Sequence, residues 1–399
     1  MAQAFSNIRI LDFSAVLSAP VAVMQLGLLG AEIIKIEQPN VGDQMRGIMN
    51  EGPDQTMSPS FLGMNVNKKS ITLNLRTPEA MEIIKALLVT SDVVVENFKA
   101  GTMASYGLSY DDVKSIKPDI VYCSVSGYGQ EGPLAGSAAY DGAIQAASGM
   151  MWQNGFTETG PTRTGFMGVD MATGINTAFA IAASLHRRAV TGDGQYIDVA
   201  MMDTAILMLA TQYNNFFIQG STEKLIGNSS QTGRPTADVF QTQDGFVMIT
   251  VISQSQVEKL FTALDASEVL RQPEFQTEEA RFQNADAVKQ FLADKFMTNM
   301  TDYWIKRGIA ARVPIAEVRR IFEVVQDPQF ETREVFETMK SPVNTDETIT
   351  VVKSGYKTNE DGPEVRFPAP HVGEHTDEIL SDLGYDTKAI AQLRIEGVV

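Results

Sequence analysis

The sequence predicts an α/β fold built on a parallel sheet, and three observations carry that prediction. Short runs rich in Val and Ile alternate with longer helical stretches through the first third of the chain. These runs are apolar on both faces, as strands covered by helices on each side must be. The opening strand, helix and strand form a βαβ unit, whose crossover is right-handed.

The elements follow in order. Ile8 to Phe13 reads as the first strand and Ser14 to Ala19 as a loop. Pro20 opens a helix through Leu29, at a position where its missing N–H costs nothing. Gly30 ends that helix, and Glu32 to Glu37 is the next strand. Strands at Ser70 to Leu75, Asp92 to Glu96 and around Cys123 follow, with a helix from Thr77-Pro78 to about Thr90. Beyond Asp170 an apolar helix extends to about Arg188. The turn Thr191-Gly192-Asp193-Gly194 then leads to a strand at Gln195 to Ala200 and a helix from Met202 to about Phe217.

Composition shifts next. Residues 219–238 are rich in Gly, Ser and Thr and read as a linker. Strands near Phe240 and at Phe246 to Val251 open a second unit, with helical segments at Gln254 to Leu264, Ala285 to Lys295 and Met300 to Arg307. A strand and helix pass through Val313 to Val325, Glu337 to Phe367 reads as polar and irregular, and a last helix is predicted at Thr376 to Leu383. The boundaries are 1–218 for a large domain, 219–238 for a linker, 239–330 for a small domain, and 331–399 for a linker and a C-terminal return to the large domain.

Composition narrows function. The chain has 399 residues, 44% hydrophobic and 20% charged, as a globular enzyme does. A formal charge of −17 without a basic cluster argues against nucleic acid, so no nucleic-acid partner is expected. The single cysteine, Cys123, forbids an intramolecular disulfide, and its strand context reads as a packed thiol. Three scattered histidines, His186, His371 and His375, do not suggest a metal site, so a metal-free mechanism is expected. No basic head precedes an apolar run and no apolar stretch reaches about 18 residues, so a cytoplasmic protein without a membrane partner is expected.

The candidate sites lie in loops. Gly165 to Gly174 sets Asp170 among small and apolar neighbours at the head of a helix. Such an Asp is either a helix cap or a poorly solvated, reactive carboxylate, and the residue types leave both open. A dinucleotide reading would use Glu37 for a ribose hydroxyl, but the loop after the first strand lacks G-x-G-x-x-G, which leaves Glu37 as an ordinary strand-end charge. Asn97, Phe98 and Lys99, just past a strand, offer an amide, an aromatic face and a cation; a solvated turn would look the same. The glycine-dense loop Ser126 to Pro133 and the pair Tyr140-Asp141 complete a set that would converge on one edge of the sheet.

With these residues assembled, the chain resembles the class III CoA-transferases of the CaiB/BaiF type, the family of formyl-CoA transferase and carnitine CoA-transferase. The resemblance rests on ordered motifs over nearly the whole chain: Ile10-Leu11-Asp12-Phe13, Leu28 to Glu37, Asn67 to Ile71, Val95 to Phe98, Ser126 to Gly129, Asp170, Gly192 to Gln195, Asp327-Pro328-Gln329 and Gly373 to Thr376. It implies a large Rossmann-like domain made from both chain ends, a smaller α/β domain between, and an interlocked homodimer. It further implies that Asp170 is the catalytic nucleophile and that Val16, Leu17, Ser18, Leu73, Arg76, Asn97, Phe98, Lys99, Tyr140 and Asp141 contact coenzyme A.

On that resemblance CoA moves from an acyl-CoA to a small carboxylic acid through an aspartyl anhydride and an aspartyl thioester, with no permanently bound cofactor. Two alternatives belong beside it. Acyl-CoA racemases of the family have a His where Tyr140 stands and a Glu near Ser253, and Tyr is a poor replacement for a His that must exchange a proton near neutrality. A non-catalytic CoA-binding protein would not need Asp170. Ser105 and Ala138 depart from cations that relatives direct at CoA phosphates, with Lys99, Arg46 or Arg76 as substitutes. Residues 227–233 stand in place of an all-glycine loop, and Arg163 and Arg234 offer a grip for a second carboxylate.

Overall fold

The computed structural model describes residues 3–48, 57–222 and 224–399. These form two compact units: one of Met1–Met150, Arg163–Ser221 and Gln329–Val399, the other of Met151–Thr162 and Thr222–Pro328.

The large unit holds a six-stranded sheet of β1 (Arg9–Asp12), β2 (Glu32–Glu37), β3 (Lys68–Thr72), β4 (Val93–Glu96), β5 (Val121–Ser126) and β6 (Gln195–Ala200). Its order is β3-β2-β1-β4-β5-β6, and every pairing is parallel. The order reverses between β1 and β4, and in such sheets the crevice outside the carboxyl ends at that reversal is where ligands bind.

The alternation of strand residues explains the two layers. Ile10, Ile33, Val93, Val95 and Val121 face the helices Ser18–Leu28 and Gly168–Thr191, burying Val23, Leu26, Ile181 and Leu185. Leu11, Ile34, Ile71, Val94 and Tyr122 face the opposite way, onto Ile83 and Leu87 of the helix Pro78–Val89 and Leu380 and Leu393 near the C-terminus. The C-terminal segment is tied to β3 and the residues that follow it: His375 donates its N–H to the Ser70 carbonyl at 2.9 Å, and Asn74 donates to that of Val398 at 2.8 Å.

In the small unit β7 (Ala237–Gln241), β8 (Phe246–Thr250) and β9 (Ile315–Glu317) form an antiparallel sheet. Its core is aromatic. Phe261 stacks on Phe291 at 5.5 Å, and Trp304 meets Phe296 edge-on at 5.4 Å while donating its indole N–H to the Phe296 carbonyl. Back in the large unit, part of the stretch read from sequence as irregular is an antiparallel hairpin of β10 (Phe336–Lys340) and β11 (Thr348–Val352). Its alternation is Thr-rich and only Val351 is buried, which hid the strand signal.

Candidate active site

Asp170 lies in the first turn of the helix Gly168–Thr191, where its charge complements the positive end of the helix. The capping group is a different residue. One carboxylate oxygen of Asp141 accepts the N–H groups of Val169 and Asp170 at 2.8 and 3.1 Å, while Met167 at the cap position offers no side-chain bond. Asp170 is thereby left to line a cavity at only 8% exposure. Burial, and secondarily the charge of Asp141, push its carboxyl up to about 6 against a hydrogen bond from the Ser18 hydroxyl.

The loop after β1 forms a second wall, and buried charges shape it. Val16 stands at φ +70°, a left-handed conformation that a β-branched residue rarely adopts. Such strain costs about 1–3 kcal/mol and persists only where the surroundings impose it. Here Asp43 accepts the Val16 N–H at 3.0 Å and that of Met45 at 2.9 Å, and pairs with Lys35 at 3.0 Å. Lys35 also donates to the Ser14 carbonyl at 2.6 Å, and Asp12 accepts the Ser14 N–H at 3.0 Å while pairing with Lys68 at 2.9 Å. Although burial opposes the charged forms, Lys68 and Lys35 hold the Asp12 carboxyl below the usual range, and Lys35 does the same to Asp43. Glu37 belongs to the same buried set and is not a surface charge. It takes Arg46 through both oxygens at 2.6 and 2.9 Å and accepts the Ser70 hydroxyl. Arg46 is consequently unavailable for a phosphate.

Asn97 joins the two loops at the strand-order reversal. Its carboxamide accepts the Ala15 N–H at 2.8 Å and donates to the Ala15 carbonyl at 2.7 Å. The Phe98 N–H is held by Glu96 at 2.8 Å, whose carboxyl burial pushes up to about 7.

Two cavities flank this clamp. The first, about 270 Å³, brings Val16, Ser18, Asn97, Phe98, Lys99 and Tyr140 together with Asp170. The second, about 410 Å³, lies over the ends of β1, β2 and β3, is lined by Leu73 and Arg76, and shares Phe98 with the first. Leu17 lines neither; it is buried beneath, packed with Val21 and Phe61. Asp141 is also buried and absent from both linings. Among the described residues no group of His, Cys, Asp and Glu could hold a metal ion, and no helix is long and apolar enough to cross a membrane.

The sequence profile of CoA-transferase family III matches residues 5–376. The chain belongs to this family. Succinyl-CoA:glutarate CoA-transferase of Homo sapiens is 33% identical over 98% of this chain and 89% of that protein. Succinyl-CoA:mesaconate CoA-transferase of Haloarcula marismortui is 31% identical over 96% and 97%. The crystal structure of a CAIB/BAIF family protein from Brucella suis superposes with a TM-score of 0.85 at 29% identity, covering 96% of this chain and all of that one. The protein is a CoA-transferase, an enzyme whose substrates are CoA thioesters.

Against this family III architecture, sequence reasoning missed Gln44, which reaches the Asp170 cavity from a short turn pinned on either side by Asp43 and Arg46. It also missed Gln145 and Thr164. Gln145 donates to Asp141 and to the Thr164 hydroxyl, and its carbonyl oxygen accepts the Thr164 N–H at 2.9 Å. A fully buried Gln on an apolar helix face was the available signal for one of them. Arg163 is exposed beside Gly142 in the large unit, whereas Arg234 pairs with Glu278 in the small unit.

Proposed function

We propose that this CoA-transferase works through covalent catalysis at Asp170. The observation that carries the reading is a buried carboxylate, raised to about 6 and still mainly ionised at pH 7, lining the cavity reached from the reversal point. Its oxygen attacks the thioester carbonyl of the donor, forming an aspartyl anhydride and expelling CoA thiolate. The thiolate attacks the aspartyl carbonyl, the donor acid leaves, and an aspartyl thioester remains. The acceptor carboxylate then reverses both steps, so CoA ends on the acceptor without hydrolysis.

The oxyanions of these steps need donors, each worth about 3–4 kcal/mol. The N–H groups of Val169 and Asp170 are taken by Asp141, so the donors come from the other cavity loops. The CoA nucleotide occupies the cavity at Leu73 and Arg76, and the pantetheine arm passes Phe98 to bring sulfur to Asp170. That long handle retains the thiolate between steps.

The substrates are dicarboxylates. The relatives' names pair succinyl-CoA with glutarate or mesaconate, and Arg163 beside the helix Asp141–Ala147 is the cation we assign to the far carboxylate. A second copy of the chain covers Ile175, Phe179, Leu207, Phe217 and Ile218, five apolar side chains each more than 60% exposed on the helices from Gly168 to Gln219. A panel of acyl-CoA donors and carboxylate acceptors read by mass spectrometry tests the activity, with hydroxylamine trapping to locate the acyl group. A label on any residue other than Asp170, or normal transfer by Asp170→Ala, defeats the mechanism. Loss of α-deuterium to solvent without CoA transfer would mark a racemase.

A further inference from the structure

We infer that Asp141 is not a CoA contact but the positioning residue that aims Asp170, holding the first turn of its helix and maintaining a negative charge beside it. This inference rests on Asp170 being the nucleophile.

Every hydrogen-bonding direction of Asp141 is turned inward. One oxygen accepts the N–H groups of Val169 and Asp170, and the other accepts Gln145, whose amide goes on to Thr164. The Thr164 hydroxyl donates to the Phe166 carbonyl at 2.8 Å, and Gly168 closes the same turn by donating to that carbonyl at 2.9 Å. The chain Asp141, Gln145, Thr164, Phe166 therefore sets where the helix begins and which way Asp170 projects. Asp141 itself is 7% exposed and lines neither cavity, while its neighbour Tyr140 is 65% exposed and lines the one with Asp170. Adjacent residues at one helix start have thus been given opposite tasks: Tyr140 faces substrate, and Asp141 faces the protein.

The charge matters as well as the bonds. The groups acting on the Asp170 carboxylate are Ser18 from the helix Ser18–Leu28 and Asp141 from the start of the helix Asp141–Ala147, and the titratable side chains that line its cavity are Lys99, Tyr128 and Tyr140. Of these, Asp141 adds repulsion that raises Asp170, and a more basic carboxylate is a better nucleophile as long as it stays ionised at working pH.

Asp141→Asn removes the charge and keeps an oxygen for both N–H groups but turns an amide N–H toward Gln145, so Gln145→Met, which loses that same bond with the charge in place, is its control. Turnover is expected to fall about tenfold, with KM for succinyl-CoA within about twofold and the acid limb of the pH profile moved to lower pH. Gln145→Met, which leaves the charge in place, should reduce turnover without moving the limb. A KM for acyl-CoA raised about tenfold by Asp141→Asn with an unmoved limb would make it a CoA contact and overturn the inference. Unchanged turnover and profile would overturn it equally. Asp170→Ala in the same assay keeps the two readings apart: if it is active the nucleophile assignment fails, whatever Asp141 does.

Discussion

A Cβ placed on Gly174 would stand 2.7 Å from the carbonyl oxygen of Ser18 and 2.9 Å from Val21. Gly174 lies one turn beyond Asp170 on the same face of its helix, so this bare position lets the helix Ser18–Leu28 come close enough for the Ser18 hydroxyl to reach the Asp170 carboxylate. Backbone, not a flexible side chain, stands in the way. Gly174→Ala should therefore separate the helices, cost about 1–3 kcal/mol as overpacking does, and lower turnover well beyond the stability loss. Thermal unfolding and turnover measured together check this; a variant with normal turnover removes Ser18 from the site.

The Asn97–Ala15 clamp predicts a different pattern. Asn97→Asp keeps an acceptor for the Ala15 N–H but leaves the Ala15 carbonyl facing a carboxylate, which neither donates nor tolerates that oxygen. Losing a partner of a half-buried carbonyl costs about 1–3 kcal/mol. Both cavities border the clamp, so KM for acyl-CoA should rise about tenfold while the acid limb of the pH profile stays in place. Calorimetric titration with CoA gives the same answer without turnover, and unchanged affinity refutes the clamp's part in binding.

Asp170 gives two pH predictions of opposite sense. The proposed attack by Asp170 needs the ionised form, so on that mechanism kcat/KM should fall as pH drops below about 6. Glu96, at about 7, titrates nearby, and Asp141→Asn assigns the limb because it acts on Asp170 alone of the two. Stability runs the other way. A carboxyl raised from 3.8 to about 6 on folding favours the native state fully below 3.8, and that contribution is lost as pH rises through about 6. Asp170→Asn should match the wild type near pH 3.8 and exceed it by up to about 3 kcal/mol at pH 8. Denaturant melts at the two pH values decide; an Asn variant equally stable at both contradicts a raised Asp170.

What could be read from the sequence divides along physical lines. Glu32–Glu37 was legible as an Ile-rich run soon after the helix-ending Gly30, and the half-exposed edge strand Gln195–Ala200 was legible from the Gly192-Asp193-Gly194 turn before it. Asp170 and the loops at Asn97 and Tyr140 were legible as chemistry-bearing residues at strand ends or helix heads. Lys35, Glu37 and Lys68 were not, since a charge in a strand normally marks a solvated face. Only the register, Asp12 beside Lys35 beside Ser70, shows that these groups share one buried face. The inward turn of Asp141 was equally invisible, because Tyr140-Asp141 reads as a pair until one side chain is seen to face the protein. The grouping of 151–162 with 222–328 depends on contacts between segments distant in sequence, to which local pattern is blind.

That buried face supplies the last prediction. Glu37 and Arg46 pair through two bonds, with the guanidinium 3.7 Å over the Phe61 ring and a further bond to the Pro370 carbonyl at 3.0 Å. Burial disfavours the charge on Glu37, but Arg46 and Lys35 hold its carboxyl below the ordinary range. Removing one partner strands the other, so Arg46→Met should cost about 3–5 kcal/mol, whereas Glu37→Gln with Arg46→Met should recover part of the loss. Because the folded carboxyl is depressed, its stabilisation is present above the ordinary 4.5 and is lost as pH falls through the lower folded value, so the gap from wild type should narrow in acid. Arg46→Lys keeps the charge but not the two-pronged contact and should fall between. The same turn presents Gln44 and, through Asp43, holds strained Val16 at the cavity, so each loss of stability should be accompanied by a rise in KM for acyl-CoA. An Arg46→Lys enzyme with wild-type melting but weakened CoA binding would instead make Arg46 a phosphate ligand.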